Sequence, residues 1–100
     1  MVYSNLGTVY FAQGRYSDAA RAFERAVTVN DRHYQVWRNL AAAYHWAPGE
    51  RDKARDAFQR AAELAEEQHR LNPQIARVRI HLADCYSMLG QSEQIGRAHV

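Results

Sequence analysis

A pattern that returns at a fixed interval constrains a chain more than any single motif, because each copy must form the same small unit and pack against its neighbour. Asn5, Leu6 and Tyr10 return 34 residues later as Asn39, Leu40 and Tyr44, and the Leu and Tyr return again after a further 42 as Leu82 and Tyr86. Ala19, Phe23 and Ala26 return as Ala54, Phe58 and Ala61, each shifted by 35. Between the two halves of each unit stand Gly14, then Pro48-Gly49, then Gly90. These are the residues at which a helix stops and the chain reverses. Each unit therefore reads as helix, tight turn, helix.

Composition supports helices throughout. Gly numbers only 5 and Pro 2 in 100 residues, fewer turn residues than an all-β chain needs. The spacing predicts helices at about residues 2–13, 17–30, 34–46, 50–71 and 74–89. The second unit is seven residues longer in its second half. Seven residues are nearly two helical turns, so the insertion returns the apolar face almost to register. Ala54, Ala57, Ala61, Leu64, Gln68 and Leu71 keep alternating steps of three and four, which predicts one long helix of about 22 residues.

The repeated residues resemble a known family. Tyr3 or Trp37 followed by Leu, a small residue (Gly7, Ala41, Ala83), Tyr, a turn Gly, Ala-x-x-x-Phe, Ala and finally Asn72-Pro73 are similar to the tetratricopeptide repeat, a 34-residue helical hairpin. The resemblance implies an all-α, right-handed solenoid of about two and a half hairpins. Repeat 1 would occupy residues 1–33, repeat 2 residues 34–75, and the first helix and turn of repeat 3 residues 76–94. The long-hairpin spacing is similar to the repeat tails of bacterial signalling proteins such as kinases, cyclases or transcriptional regulators. Asp31 stands where the family usually carries Pro, removing a helix stop but leaving a residue able to cap the next helix.

After Gly90 the pattern fails, since Ile95 and His99 stand where Ala and an aromatic are due. Residues 95–100, Ile-Gly-Arg-Ala-His-Val, also resemble the translation of a common sequencing adapter and are expected to be foreign to the natural protein. The first unit begins almost at Met1 with no preceding cap, and Leu82, Tyr86 and Leu89 have no following helix to cover them. The chain is thus expected to be a fragment of a longer protein, prone to self-association through open solenoid ends.

Little in the chain suggests chemistry. Thirteen basic and 11 acidic side chains are mixed along it, for a net charge of +2, which gives no case for nucleic acid. No apolar run approaches a membrane span and no signal sequence is evident, so a cytoplasmic chain with no membrane partner is expected. His81 and Cys85, four apart, could share a helical face, but zinc asks for three or four ligands and no further ligand stands at suitable spacing. Cys85 occupies the slot of Val9 and Ala43, which predicts a small buried residue. Neither a metal, a cofactor nor catalytic residues are expected, and the chain is read as a non-enzyme.

What remains is surface. In the family the first helices of successive units line a groove for extended peptides or partner helices, and the resemblance implies the same positions here. They are Asn5, Thr8 and Phe11 in the first unit, Arg38, Asn39, Ala42, His45 and Trp46 in the second, and Arg77, His81 and Asp84 in the third. Ser4, Ala12, Gln35, Ser87 and Met88 flank them. Asn5 and Asn39 can bond a peptide backbone, Arg38 and Arg77 can hold a carboxylate, and Phe11 and Trp46 offer flat apolar anchors. Arg38 and Arg77 could equally be solvated, and Trp46 could pack under the Pro48-Gly49 turn. The partner implied is a protein or peptide of acidic character with an apolar residue. Some family members clamp a terminal carboxylate. Asn39 and Arg77 match that set, whereas Ser4, Thr8 and His81 depart from it and disfavour such a ligand.

Overall fold

The computed structural model describes the backbone of residues 2–98 and the side chains of residues 2–90. Five helices follow one another: α1 (Val2–Ala12), α2 (Tyr16–Val29), α3 (Tyr34–Trp46), α4 (Arg51–Leu71) and α5 (Ala76–Ala98). Each packs against the next, and α1 also touches α3, so the chain is an all-α helical-repeat solenoid. Its thinnest dimension, 21 Å, is two helix diameters. The first helices α1, α3 and α5 form one layer and the second helices α2 and α4 the other.

Local chemistry sets the reversals. Gly14 takes φ 76°, and the amides of Gly14 and Arg15 donate to the carbonyls of Phe11 (3.0 Å) and Tyr10 (2.9 Å). This paired closure of a helix end needs left-handed backbone, which glycine adopts without a Cβ penalty. Gly49 also takes left-handed backbone, φ 78°, but in a turn after the helix end: Pro48 holds Ala47 extended and the amide of Glu50 donates to the carbonyl of Ala47 (3.2 Å). Pro73 likewise follows the residue that ends α4, Asn72.

The α2–α3 junction corrects the expectation for Asp31. Residue His33 occupies the N-cap of α3 and makes no capping bond. The turn is held instead by Asn30, whose Oδ1 accepts from the amide of Arg32 (3.0 Å), while the carbonyl of Asp31 accepts from Trp37 Nε1 (2.8 Å). An Asn side chain closing on its own following backbone does the work that Pro usually does here.

Small residues make the core. Ala19, Ala20, Ala41, Ala43, Ala54, Ala57, Ala61 and Ala62 surround Phe23, Leu40, Tyr44, Phe58 and Cys85, letting helix axes approach closely while the aromatics fill the space between hairpins. A second cluster joins Tyr34, Leu64, Ala65 and Val78 at the α4–α5 contact. The 21-residue α4 matches the long helix expected, but its buried face ends at Ala65. Gln68 and Leu71 are exposed, Gln68 facing a cavity shared with the first turn of α5.

Two further differences have plain physical causes. Leu6 and Val9 are 40% and 51% exposed, whereas their counterparts Leu40 and Ala43 are buried. The counterparts lie under α2, the second helix of the preceding hairpin, and among the described residues α1 has no such neighbour. In the third unit, no turn forms at Gly90, and α5 continues to Ala98. One glycine inside a helix costs only about 1 kcal/mol, and without the Ala and aromatic pattern beyond it no returning helix rewards a reversal there. Residues 99 and 100 and the side chains of 91–98 lie outside the described part, so only the backbone of residues 95–98 is described in the segment expected to be foreign.

Candidate functional site

The first helices present one continuous concavity, built around α3. Arg38, Asn39 and Ala42 form a ridge shared by two cavities. On the α1 side, a cavity of about 340 Å³ is completed by Thr8, Phe11 and Ala12, with Phe23 of α2 as its floor. On the α5 side, a cavity of about 510 Å³ is completed by His45, Trp46, Asp84, Ser87 and Met88, with Phe58 of α4 beneath. The repeat explains the symmetry, because Phe23 and Phe58 are the same residue of successive hairpins.

Eight of the positions expected from the sequence therefore meet at the groove: Thr8, Phe11, Arg38, Asn39, Ala42, His45, Trp46 and Asp84. Three do not. Asn5 is exposed on α1 and lines neither cavity. His81 is half-buried, its Nδ1 2.9 Å from the hydroxyl of Tyr34. Arg77 lines a separate cavity at the start of α5, to which Asn39 does not contribute.

An aromatic row runs along one rim. The rings of Phe11 and Tyr16 meet edge to face at 5.1 Å, Tyr16 lies 6.3 Å from Trp46, and Trp46 meets His45 at 5.0 Å. Trp46 is 56% exposed and faces the larger cavity, so it does not pack beneath the Pro48-Gly49 turn. Tyr16 is the link that carries the row from α1 to α3. It stands on α2, outside the first-helix positions that repeat counting examines. Tyr34 had no signal either, since the first unit has no residue in that register.

The electrostatics centre on Arg38. Its Nη1 lies 3.9 Å from Asp84 Oδ2, and its Nε is buried without a hydrogen-bond partner. The guanidinium thus has a nearby countercharge, while its unpaired Nε is closed off from the groove. Burial, reinforced by the charge of Arg51, lowers the pKa of His45. Burial also lowers that of His81, with the charges of Arg38 and Arg77 adding to it and Asp84 opposing. Cys85 is fully buried in the core, and burial pushes its thiol pKa up. It is a packing residue, with no access to the groove. Among the described residues, no three His, Cys, Asp or Glu side chains converge as a metal site would need, and no helix is long and apolar enough to cross a membrane.

Comparison with known sequences agrees with this architecture. A family model described as tetratricopeptide repeat matches residues 4–69, which takes in α1 to α4 almost entirely. The chain is also similar to anaphase-promoting complex subunit 3 of Schizosaccharomyces pombe, 37% identical over 62 residues. That stretch is 62% of this chain and 9% of the relative.

Proposed function

Since the chain belongs to the tetratricopeptide repeat family, whose members generally mediate protein–protein interaction, we propose that it is a non-catalytic scaffold module that holds a partner segment in the α1–α3–α5 groove. The observation that carries this reading is the Arg38 ridge. The Arg38 side chain, 30% exposed and only loosely paired with Asp84, stands between two apolar-floored cavities, with the aromatic row of Phe11, Tyr16 and Trp46 at the rim. A carboxylate on the partner can pair with the part of the Arg38 guanidinium that stays accessible, and an apolar side chain can fill the cavity beside Trp46. The partner is therefore an acidic protein segment or peptide, not nucleic acid or a membrane surface, and the setting is the cytoplasm.

Binding of an acidic peptide library carrying one apolar residue, followed by fluorescence anisotropy, tests the reading against Arg38→Ala and Trp46→Ala. Each substitution is expected to weaken binding at least tenfold, an effect of about 1.4 kcal/mol or more. Equal binding by wild type and both variants would sink it.

A finer reading concerns the parent protein. The 21-residue α4 favours the long-hairpin spacing of signalling-protein tails, in which this module would be an accessory to a bacterial kinase, cyclase or regulator. Catalytic or DNA-binding sequence adjoining these repeats in the gene would support that reading, and its absence would end it. The exposed apolar residues Val2, Leu6 and Val9 on α1, with Ile80 and Tyr86 on α5, favour association of copies through the solenoid ends. Light scattering across a concentration series checks that association.

A further inference from the structure

The cavity that takes Arg77 shares no lining residue with the groove. It opens, with a volume of about 280 Å³, between the first turns of α3 and α5 and the last turn of α4. Its polar wall is Arg32, His33, Gln35, Gln68 and Arg77, above Val78. Two arginines, a histidine and two glutamines thus line one space, and no Asp or Glu lines it.

No carboxylate of the described residues pairs with the charge there. Several arginines elsewhere hold carboxylates, as Arg15 holds Asp18 and Arg60 holds Glu63, but among the described residues Arg32 and Arg77 form no ion pair. The helices that open at the cavity add the same sign. Neither α3 nor α5 has an acidic residue in its first turn, and α3 has no side-chain cap, so the partial positive charge of those helix starts is left open. Like charges gathered without a counterion repel one another, and an anion in the cavity reverses that cost.

We propose that this cavity binds a phosphate group, carried either by free inorganic phosphate or by a phosphorylated side chain of a protein partner. The donor set favours phosphate over a carboxylate. Two guanidinium forks and an imidazole offer more donors than two carboxylate oxygens accept, whereas a phosphate presents three or four oxygens and carries up to two charges. The site is independent of the groove, so a partner could engage both at once or either alone.

Isothermal titration of the full 100-residue chain at constant ionic strength tests the proposal. Inorganic phosphate, a phosphoserine peptide and its unphosphorylated counterpart are titrated in turn. Saturable phosphate or phosphopeptide binding is expected, weakened about tenfold by Arg77→Ala and further by adding Arg32→Ala. Arg77→Lys, which keeps the charge and loses the fork, should fall between wild type and Arg77→Ala. Arg55→Ala, on an exposed part of α4 outside the cavity, should change nothing. Both cavity arginines are exposed, so circular dichroism of the variants should match wild type. Phosphopeptide binding at least tenfold tighter than inorganic phosphate assigns the phosphate to a protein partner, and comparable affinities assign it to the free ion. Absence of saturable binding by both, or equal binding by the double variant, overturns the proposal.

Discussion

The hydroxyl of Tyr44 on α3 donates to Glu24 Oε2 on α2 at 2.5 Å, tying the first hairpin to the second. Glu24 is also paired with Arg21 (3.2 Å), and Arg21 in turn reaches Glu50 at the start of α4, where Lys53 adds a second contact at 3.3 Å. Three helices are thus joined by one charged chain along an edge of the core. Tyr44→Phe keeps the ring and removes only the link to Glu24, which retains Arg21 and solvent. A loss of about 1.5 kcal/mol is expected, at the low end for a hydrogen bond to a charged group. Urea unfolding with an unchanged m-value checks it, and unchanged stability would mean that the bond contributes nothing net.

Two glycines in helices should respond to alanine in opposite directions. A Cβ at Gly7 would stand 2.7 Å from Phe23 Cε1, and Phe23 is a fully buried ring at the centre of the core. Helix propensity favours Gly7→Ala by about 1 kcal/mol, but overpacking a rigid buried ring costs roughly 1–3 kcal/mol, so packing decides. Gly7→Ala should be destabilising. At Gly90 a Cβ meets nothing within 4 Å and the helix runs straight through. Gly90→Ala should stabilise by about 0.5–1 kcal/mol. Thermal unfolding of the pair reads both signs, and a gain at Gly7 would contradict the packing argument.

The same residues explain what sequence reading could reach. Local rules fix the first four helices, because Gly14, Pro48-Gly49 and Pro73 act on their immediate neighbours whatever the rest of the chain does. Gly90 is different. Whether a glycine turns or is tolerated depends on the segment beyond it, and here that segment offers no face to fold back. The groove was legible where position along the repeat decides which way a side chain points, as for Thr8, Arg38, Ala42 and Trp46. Counting failed for His81, because Tyr34, whose register has no counterpart in the first unit, hydrogen-bonds its imidazole. It failed for Arg77 because the first turn of α5 faces the end of α4 and not α3's ridge.

Stability should fall on both sides of a neutral plateau. Burial holds His45 and His81 below the ordinary histidine value, so the native state binds fewer protons than the unfolded chain at mildly acidic pH. Their contribution is present above about pH 6.5 and is lost as pH falls through the lowered native values. Tyr44 has the opposite sign. Burial, followed by the bond to Glu24, raises it, so its contribution is present below about pH 10 and is lost as pH rises further. Melting temperatures measured from about pH 5 to 11 should show both limbs. His45→Gln with His81→Gln should flatten the acid limb alone, and an unchanged acid limb would remove these histidines from the account.

Ala42 offers a steric test of the groove that leaves charge untouched. It is half-buried on the ridge between the two cavities, where its small side chain lets them join over α3. Ala42→Phe adds a ring that must project into one cavity or the other, since the opposite face of α3 is closed by Ala41 and Tyr44 against the core. Phe is a poorer helix former than Ala by only about 0.5 kcal/mol, so the fold should survive with a small drop in melting temperature. Partner binding in the groove should fall by tenfold or more, while phosphate binding beside Arg77 stays as in wild type. Anisotropy and calorimetry on one preparation separate the two sites. Loss of both activities together would mean that the ring had disturbed α3 as a whole, and retention of both would place the partner on a different face of the solenoid.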